Sequence, residues 1–171
     1  VKKIDLLNKF LLSIKLKMEE LLVKINNLEK QIYELLIEKY IIDLKNNGYV
    51  LIPNIISDEE VNIAKDLFYK WKNSIPDHDK IHSAIDPHGI YKFHQAGHQE
   101  HAWYLRTREN IIDIFKKIWN TNDLTVSFDG SCYIPKEYSK KDKTWTHTDQ
   151  SPNAKGLQCY QSFVSLTKNS E

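Results

Sequence analysis

Glycine and proline are scarce in this chain, five of each, and neither occurs before Gly48. That absence removes the residues that break helices and leaves the first 45 positions open to one uninterrupted element. Cysteine is scarcer still. Cys132 and Cys159 are too few for a disulfide framework, and neither has a His or Asp in the relation that a cysteine nucleophile needs. Charge of one sign is missing: 24 Lys and Arg against 23 Asp and Glu leave a formal net charge of +1. Nothing electrostatic therefore favours nucleic acid or an anionic membrane surface. No apolar run approaches the roughly 18–20 residues that span a bilayer. The basic N-terminus has periodic apolar residues broken by Lys, Asp and Asn, unlike a secretory leader. A reducing, cytoplasmic location fits these absences. No phosphate-binding loop, dinucleotide fingerprint or H-E-x-x-H motif occurs.

What is present is ordinary globular composition, with 41% hydrophobic and 27% charged residues. At 171 residues the chain is long enough for a real core and one domain with an appendage. It starts at Val1 rather than Met and stops at Glu171 just after a strand-like segment, so it reads as a fragment.

Residues 1–45 predict helix. Ile4, Leu7, Leu11, Ile14, Met18, Leu21, Ile25, Leu28, Ile32 and Leu35 repeat at 3-4 spacing, a heptad pattern. Mostly Ile in the first series and mostly Leu in the second favour a parallel two-stranded coiled coil, hence a homodimer through residues 4–35. Phe10, Leu16, Leu22, Val23, Leu36 and Ile37 are apolar off that seam, which keeps a helix docked on its own domain, or a helical hairpin, open as the alternative. Asn26-Asn27 is where such a hairpin would turn. Beyond Lys39 the apolar face shifts to Ile37, Ile41 and Leu44, and Asn46-Asn47-Gly48 is a stop signal.

Tyr49–Ile52 predicts a short strand. Ser57-Asp58-Glu59-Glu60 is a capping box that opens a helix to about Asn73, with Val61, Ala64, Leu67, Phe68 and Trp71 inward. Residues 74–101 are polar and hold six of the seven histidines. His78 and His82, and His94 and His98, stand four apart, but Pro76, Pro87, Gly89 and Gly97 argue against a helical metal site. A lid or substrate loop, with His98 and Arg106 in contact with an acidic substrate, competes with a plain solvated loop. Arg106 and Arg108 have Glu100 or Glu109 as alternative partners. Trp103–Asn120 predicts one helix, with Ile111, Ile112, Phe115, Ile118 and Trp119 inward. Leu124–Phe128, Cys132–Ile134 and Leu157–Leu166 predict strands. Helices first and strands last indicate an α+β domain.

The chemistry concentrates in Trp145-Thr-His147-Thr-Asp149-Gln150. In extended backbone His147 and Asp149 share a face. One imidazole and one carboxylate are two thirds of the 2-His-1-carboxylate triad that holds non-haem Fe(II). By itself H-x-D is a weak motif, and a surface loop whose Asp caps a turn is the plain alternative. Gln150 is placed to orient the carboxylate through its amide, and Trp145 flanks the pair on the other side. Gln161, on the face shared by Cys159 and Phe163, is a candidate co-substrate contact, and Tyr133 or Cys132 lines the pocket according to which faces in.

Gly48-Tyr-Val-Leu-Ile-Pro53 followed by Ile-Ser-Asp-Glu-Glu-Val61 resembles the opening of phytanoyl-CoA dioxygenase-like proteins, and His147-x-Asp149 matches the family's H-x-D. Gly97-His98, Trp103-Tyr-Leu-Arg106, Phe115-Lys-Lys-Ile-Trp119 and Asp123-Leu-Thr-Val-Ser-Phe-Asp-Gly130 resemble a branch found in fungi, algae and large DNA viruses. The resemblance covers about residues 35–171 and leaves 1–34 outside as a coiled-coil-like extension. It implies an Fe(II)- and 2-oxoglutarate-dependent oxygenase, with ascorbate as an accessory reductant, on a double-stranded β-helix of the jelly-roll or cupin type. It implies iron on His147 and Asp149 and a small-molecule or lipid-like substrate; Gln161 and Tyr133, by their strand faces, are the candidate co-substrate contacts. The family's distal His and its following Arg have no counterpart after Asp149, so the barrel and site should be incomplete here, and this chain alone should be inactive. A non-catalytic assembly or binding module that works through its coil is the competing expectation.

Overall fold

The computed structural model describes residues 2–76, 78, 89–91, 93–127, 130–134, 147 and 149–168. Its described elements are α1 (Lys2–Asn47), α2 (Asp58–Ser74), β1 (Ile90–Tyr91), a 3-10 turn (Ala96–His98), α3 (Glu100–Arg106), α4 (Glu109–Trp119) and β2 (Ser131–Cys132). The composition is α+β, with helix dominant. Two compact units divide the chain: Val1–Pro53 with Lys116–Thr121, and Asn54–Phe115 with Asn122–Glu171.

In the first unit α1 runs 46 residues without a break. Asn26-Asn27 continues the helix, so there is no hairpin. Two isolated Asn residues cost little when every neighbour is a good helix former. The helix ends where expected. Gly48 adopts φ +78° and its N–H donates to the Leu44 carbonyl at 2.9 Å, the left-handed stop that glycine takes without strain. The side chains of Leu6–Leu36 are all exposed, so the seam is not covered in this structure. Ile37 is buried at 3% exposure, and Tyr40, Ile41 and Leu44 are half-buried. Lys117 in the same unit reaches Glu34 at 3.5 Å, an exposed pair worth well under about 1 kcal/mol.

In the second unit the capping box closes as its sequence requires. The Ser57 hydroxyl accepts from the Glu60 N–H at 3.2 Å, and the Glu60 carboxylate accepts from the Ser57 N–H at 2.8 Å. These bonds hold the Glu60 carboxyl below its ordinary pKa. α2 then buries Ala64, Phe68 and Trp71. With Ile75, Tyr91 and Ala96 these form the core, and Tyr133 packs on it. The rings meet at angles: Phe68 with Tyr91 at 6.4 Å and 77°, and Trp71 with Tyr91 at 5.6 Å and 72°. Edge-on approaches of this kind suit the aromatic quadrupole.

Of the segment read as a histidine loop, residues 77, 79–88 and 92, His82 and His88 among them, lie outside the described residues, and 93–99 form a defined turn. His94 and Gln95 both take positive φ, 55° and 57°. The Trp71 indole N–H donates to the His94 carbonyl at 3.2 Å, and the Gln99 amide donates to the carbonyls of His94 and Gln95. A buried ring on α2 and a side chain at the entry to α3 thus hold a turn that is costly for residues other than glycine.

Three expectations are corrected. The single helix over Trp103–Asn120 is two, α3 and α4. The Thr107 hydroxyl lies 2.9 Å from the Trp103 carbonyl oxygen and 3.2 Å from that of Tyr104, and the Arg108 Nε–H donates to the Tyr104 carbonyl at 2.9 Å, the acceptor that a continuing helix would give to the Arg108 main-chain N–H. The buried residue of α4 is Ile114 rather than a member of the predicted stripe, and Trp119 is 36% exposed. Tyr49–Ile52, Leu124–Ser127 and Leu157–Leu166 are irregular rather than strands, and the strand predicted over Cys132–Ile134 is shortened and shifted to Ser131–Cys132. The described ladder is antiparallel, pairing Ile90 with Cys132 and Tyr91 with Ser131. Alternation can prepare a strand, but main-chain partners must complete it. Glycine lets this ladder close: a methyl group added at Gly89 would stand 2.8 Å from the Tyr133 carbonyl oxygen and 2.5 Å from Ile134.

Candidate functional site

The His147 Nε2 and Asp149 Oδ1 atoms stand 3.1 Å apart, so the two donors converge as residues two apart on one face should. The pair is at the surface rather than in an enclosed pocket: the His147 side chain is 44% exposed and that of Asp149 51%. The chain behind them is tied down by Gln150. Its amide N–H donates to the Gly156 carbonyl at 2.6 Å, and its amide oxygen accepts from the Gln158 N–H at 2.9 Å. Inside that clamp the Ala154 N–H reaches the Ser151 carbonyl at 2.9 Å. Gln150 therefore works through the backbone of residues 150–158, and these bonds hold its amide on the loop. Gln150→Leu is expected to raise the hydrogen-exchange rate of the Gln158 amide at least tenfold, the equivalent of about 1–2 kcal/mol of local stability. Unchanged protection would show that the clamp holds nothing.

The other predicted site residues fall elsewhere. Tyr133 belongs to the aromatic core. Its ring lies 5.8 Å from that of Phe68, with the Lys72 Nζ 4.9 Å from its centroid, and its N–H donates to the Gly89 carbonyl. Gln161 is exposed on irregular backbone, as are Cys159 and Phe163. Cys132 is exposed and, like Cys159, is not in a disulfide. His98 is exposed in the 3-10 turn. Arg106 donates to the Gly97 carbonyl and its guanidinium lies 5.3 Å over the Trp103 ring. Arg108 stacks 4.1 Å over Tyr104 and pairs with Glu60 at 3.4 Å, rather than with Glu100 or Glu109. Trp145 lies outside the described residues.

Sequence reasoning passed over His101. It is 3% exposed, and its Nε2 lies 2.7 Å from the Ser131 hydroxyl. Phe68 meets the imidazole edge-on at 5.3 Å, and the Trp71 ring lies 5.2 Å away at a tilt of 36°. Its Nδ1 is buried with no hydrogen-bond partner among the described residues. Burial, then the nearby Arg106 charge, push its pKa down to about 4. A neutral imidazole here joins α3 to β2. No spacing in the sequence relates positions 101 and 131.

His147 and Asp149 supply donors suited to two positions of a 2-His-1-carboxylate iron site. No third His, Cys, Asp or Glu joins them among the described residues. No helix among the described residues is long and apolar enough to cross a membrane.

No protein-family model matches the chain, and no solved structure matches it. It is similar to a protein of Aspergillus versicolor named Ava biosynthesis cluster protein O, at 28% identity over 137 residues. The match covers 74% of this chain and 44% of that protein, so the chain spans less than half the length of the relative.

Proposed function

We propose that this chain is the N-terminal part of an Fe(II)- and 2-oxoglutarate-dependent oxygenase of the phytanoyl-CoA dioxygenase-like type, acting on a small-molecule or lipid-like substrate. The observation that carries the reading is the approach of His147 Nε2 to Asp149 Oδ1 at 3.1 Å on an accessible surface. A relative named for a biosynthesis cluster agrees with small-molecule chemistry. So does the match over less than half of that relative: the third ligand, the co-substrate Arg and the remaining strands of a jelly roll would come from the rest of the protein. Leu124–Ser127 and Leu157–Leu166 would then find their ladders there.

In this reading His147 and Asp149 would hold the iron, with 2-oxoglutarate as co-substrate and ascorbate as accessory reductant; iron with 2-oxoglutarate supplies oxidative decarboxylation and substrate oxidation. The residues of this chain bind and position. An imidazole nitrogen and a carboxylate oxygen would hold the ion from one side, and the two side chains are 44% and 51% exposed. The Gln150 clamp fixes the loop that leaves Asp149, which limits how far the carboxylate can wander.

The test is a reading frame extended past Glu171, purified with Fe(II) and 2-oxoglutarate and assayed for succinate. His147→Ala and Asp149→Ala are each expected to lower succinate release at least a hundredfold, and residues 1–171 alone to release none. Undiminished turnover in both variants would remove these residues from the site. A second reading, a non-catalytic assembly or binding module working through α1, is favoured by the exposure of the whole heptad seam. Succinate release by the extended protein would exclude it.

A further inference from the structure

α1 has two apolar faces with different fates. The seam of Ile4, Leu7, Leu11, Ile14, Met18, Leu21, Ile25, Leu28, Ile32 and Leu35 is bare, each side chain 41% to 65% exposed. Ile37 is buried and Ile41 and Leu44 are half-buried. At about 100° per residue these three lie roughly 120–240° around the helix from Ile32 and Leu35. The face that this chain covers is thus opposite the face that it leaves open. A helix docked through its seam would show the reverse.

We infer that residues 4–35 pair with the same segment of a second copy of this chain, as a parallel, in-register, two-stranded coiled coil. This concerns α1 alone and does not rest on the oxygenase reading. Four of the first-series positions are Ile, Leu, Ile and Ile with Met18 between, and four of the five second-series positions are Leu. Branched residues of this kind, Ile first and Leu second, pack best in two parallel strands.

Charge selects the direction. In a parallel pair, the residue before each first-series position faces the residue five further on in the second copy. For the last four first-series positions those pairs are Phe10 with Lys15, Lys17 with Leu22, Lys24 with Glu29, and Gln31 with Leu36. Lys24 and Glu29 attract, twice by symmetry, and no pair repels. The methylene stems of Lys17 and Gln31 lie over Leu22 and Leu36, which accounts for two apolar residues beside the seam. A fully overlapped antiparallel pair instead sets Lys17 against Lys24, also twice.

Size agrees as well. Burying a Leu or Ile side chain removes about 60–120 Å² of apolar surface. Ten per copy give about 1,200–2,400 Å² in total, the range of stable protein interfaces. Leu12, Leu16 and Val23 lie behind the seam and are interrupted there by Lys9, Glu19 and Lys30, so that side offers no continuous second stripe.

The test uses the full 171-residue chain. Light scattering after size exclusion is expected to give twice the 20.2 kDa chain mass. Ile25→Cys, with Cys132 and Cys159 changed to Ser, is expected to form a disulfide-linked dimer on mild oxidation, because the parallel register sets position 25 against itself. Antiparallel overlap would set it against position 14. Lys24→Glu is expected to raise the dissociation constant about tenfold, and Lys24→Glu with Glu29→Lys to restore it. These positions are exposed, so helix content by circular dichroism should not change. A monomer at 100 μM, a trimer or tetramer, or failure of both the crosslink and the charge-swap rescue would overturn the inference.

Discussion

Replacing Trp71 by alanine is expected to destabilise the second unit by about 3–5 kcal/mol, a large share of the roughly 5–15 kcal/mol that holds a typical domain together. Trp71 is 8% exposed, and its ring is within 5.8 Å of those of Phe68, Tyr91 and His101. Removing it opens a cavity where α2, β1 and α3 meet, bounded by rings that cannot collapse into the space. The lost indole hydrogen bond is the smaller part of the cost, because the His94 carbonyl keeps the Gln99 amide as a donor. Trp71→Phe should therefore recover most of the loss, leaving about 1–2 kcal/mol for the smaller ring and the missing donor. Urea unfolding followed by circular dichroism measures both. A loss below about 1 kcal/mol for Trp71→Ala would mean that this aromatic cluster does not organise the unit.

The second large effect is acid lability from His101. Its pKa in the fold is about 4, against 6.5 for the free side chain. The fold prefers the neutral ring, so the unfolded chain binds more protons between those values. Stability is therefore full above about pH 6.5 and falls as the pH drops towards 4. At 1.36 kcal/mol per pKa unit the loss is about 2 kcal/mol by pH 5 and about 3 kcal/mol below pH 4. Glu60 acts in the same direction but lower: its carboxyl is held below the ordinary value of 4.5, so its contribution disappears only as the pH falls through that lower range. The two are thus separable by window. Unfolding midpoints at pH 7, 6, 5 and 4.5 should decline in the wild type and stay nearly level in His101→Phe. A wild-type midpoint unchanged from pH 7 to 5 would show that the imidazole is not held neutral.

Which parts were legible follows from how far each interaction reaches along the chain. Gly48 stops α1 through a carbonyl four residues back, and Ser57 and Glu60 cap α2 across three residues. The residue types declare such contacts. His147 and Asp149 meet because they are two apart. The Thr107 break was available in principle, since its hydroxyl bonds within one turn, but the apolar period ran through it and hid it. The irregular backbone at 157–166 could not be foreseen, because alternation does not say whether a partner strand is present.

The sequence by itself determined the helical character of residues 1–45, their heptad seam, the stop at Gly48, the capping box and the shared face that extended backbone gives the H-x-D pair, all through contacts within a few residues. Tertiary structure decided which face of α1 is covered. It also decided that Tyr133 joins the core, that Gln150 clamps main chain, and that His101 is a buried neutral ring against a serine 30 positions away. The physical reason is that burial and desolvation depend on what arrives from elsewhere in the chain, and no local pattern of residues encodes that arrival.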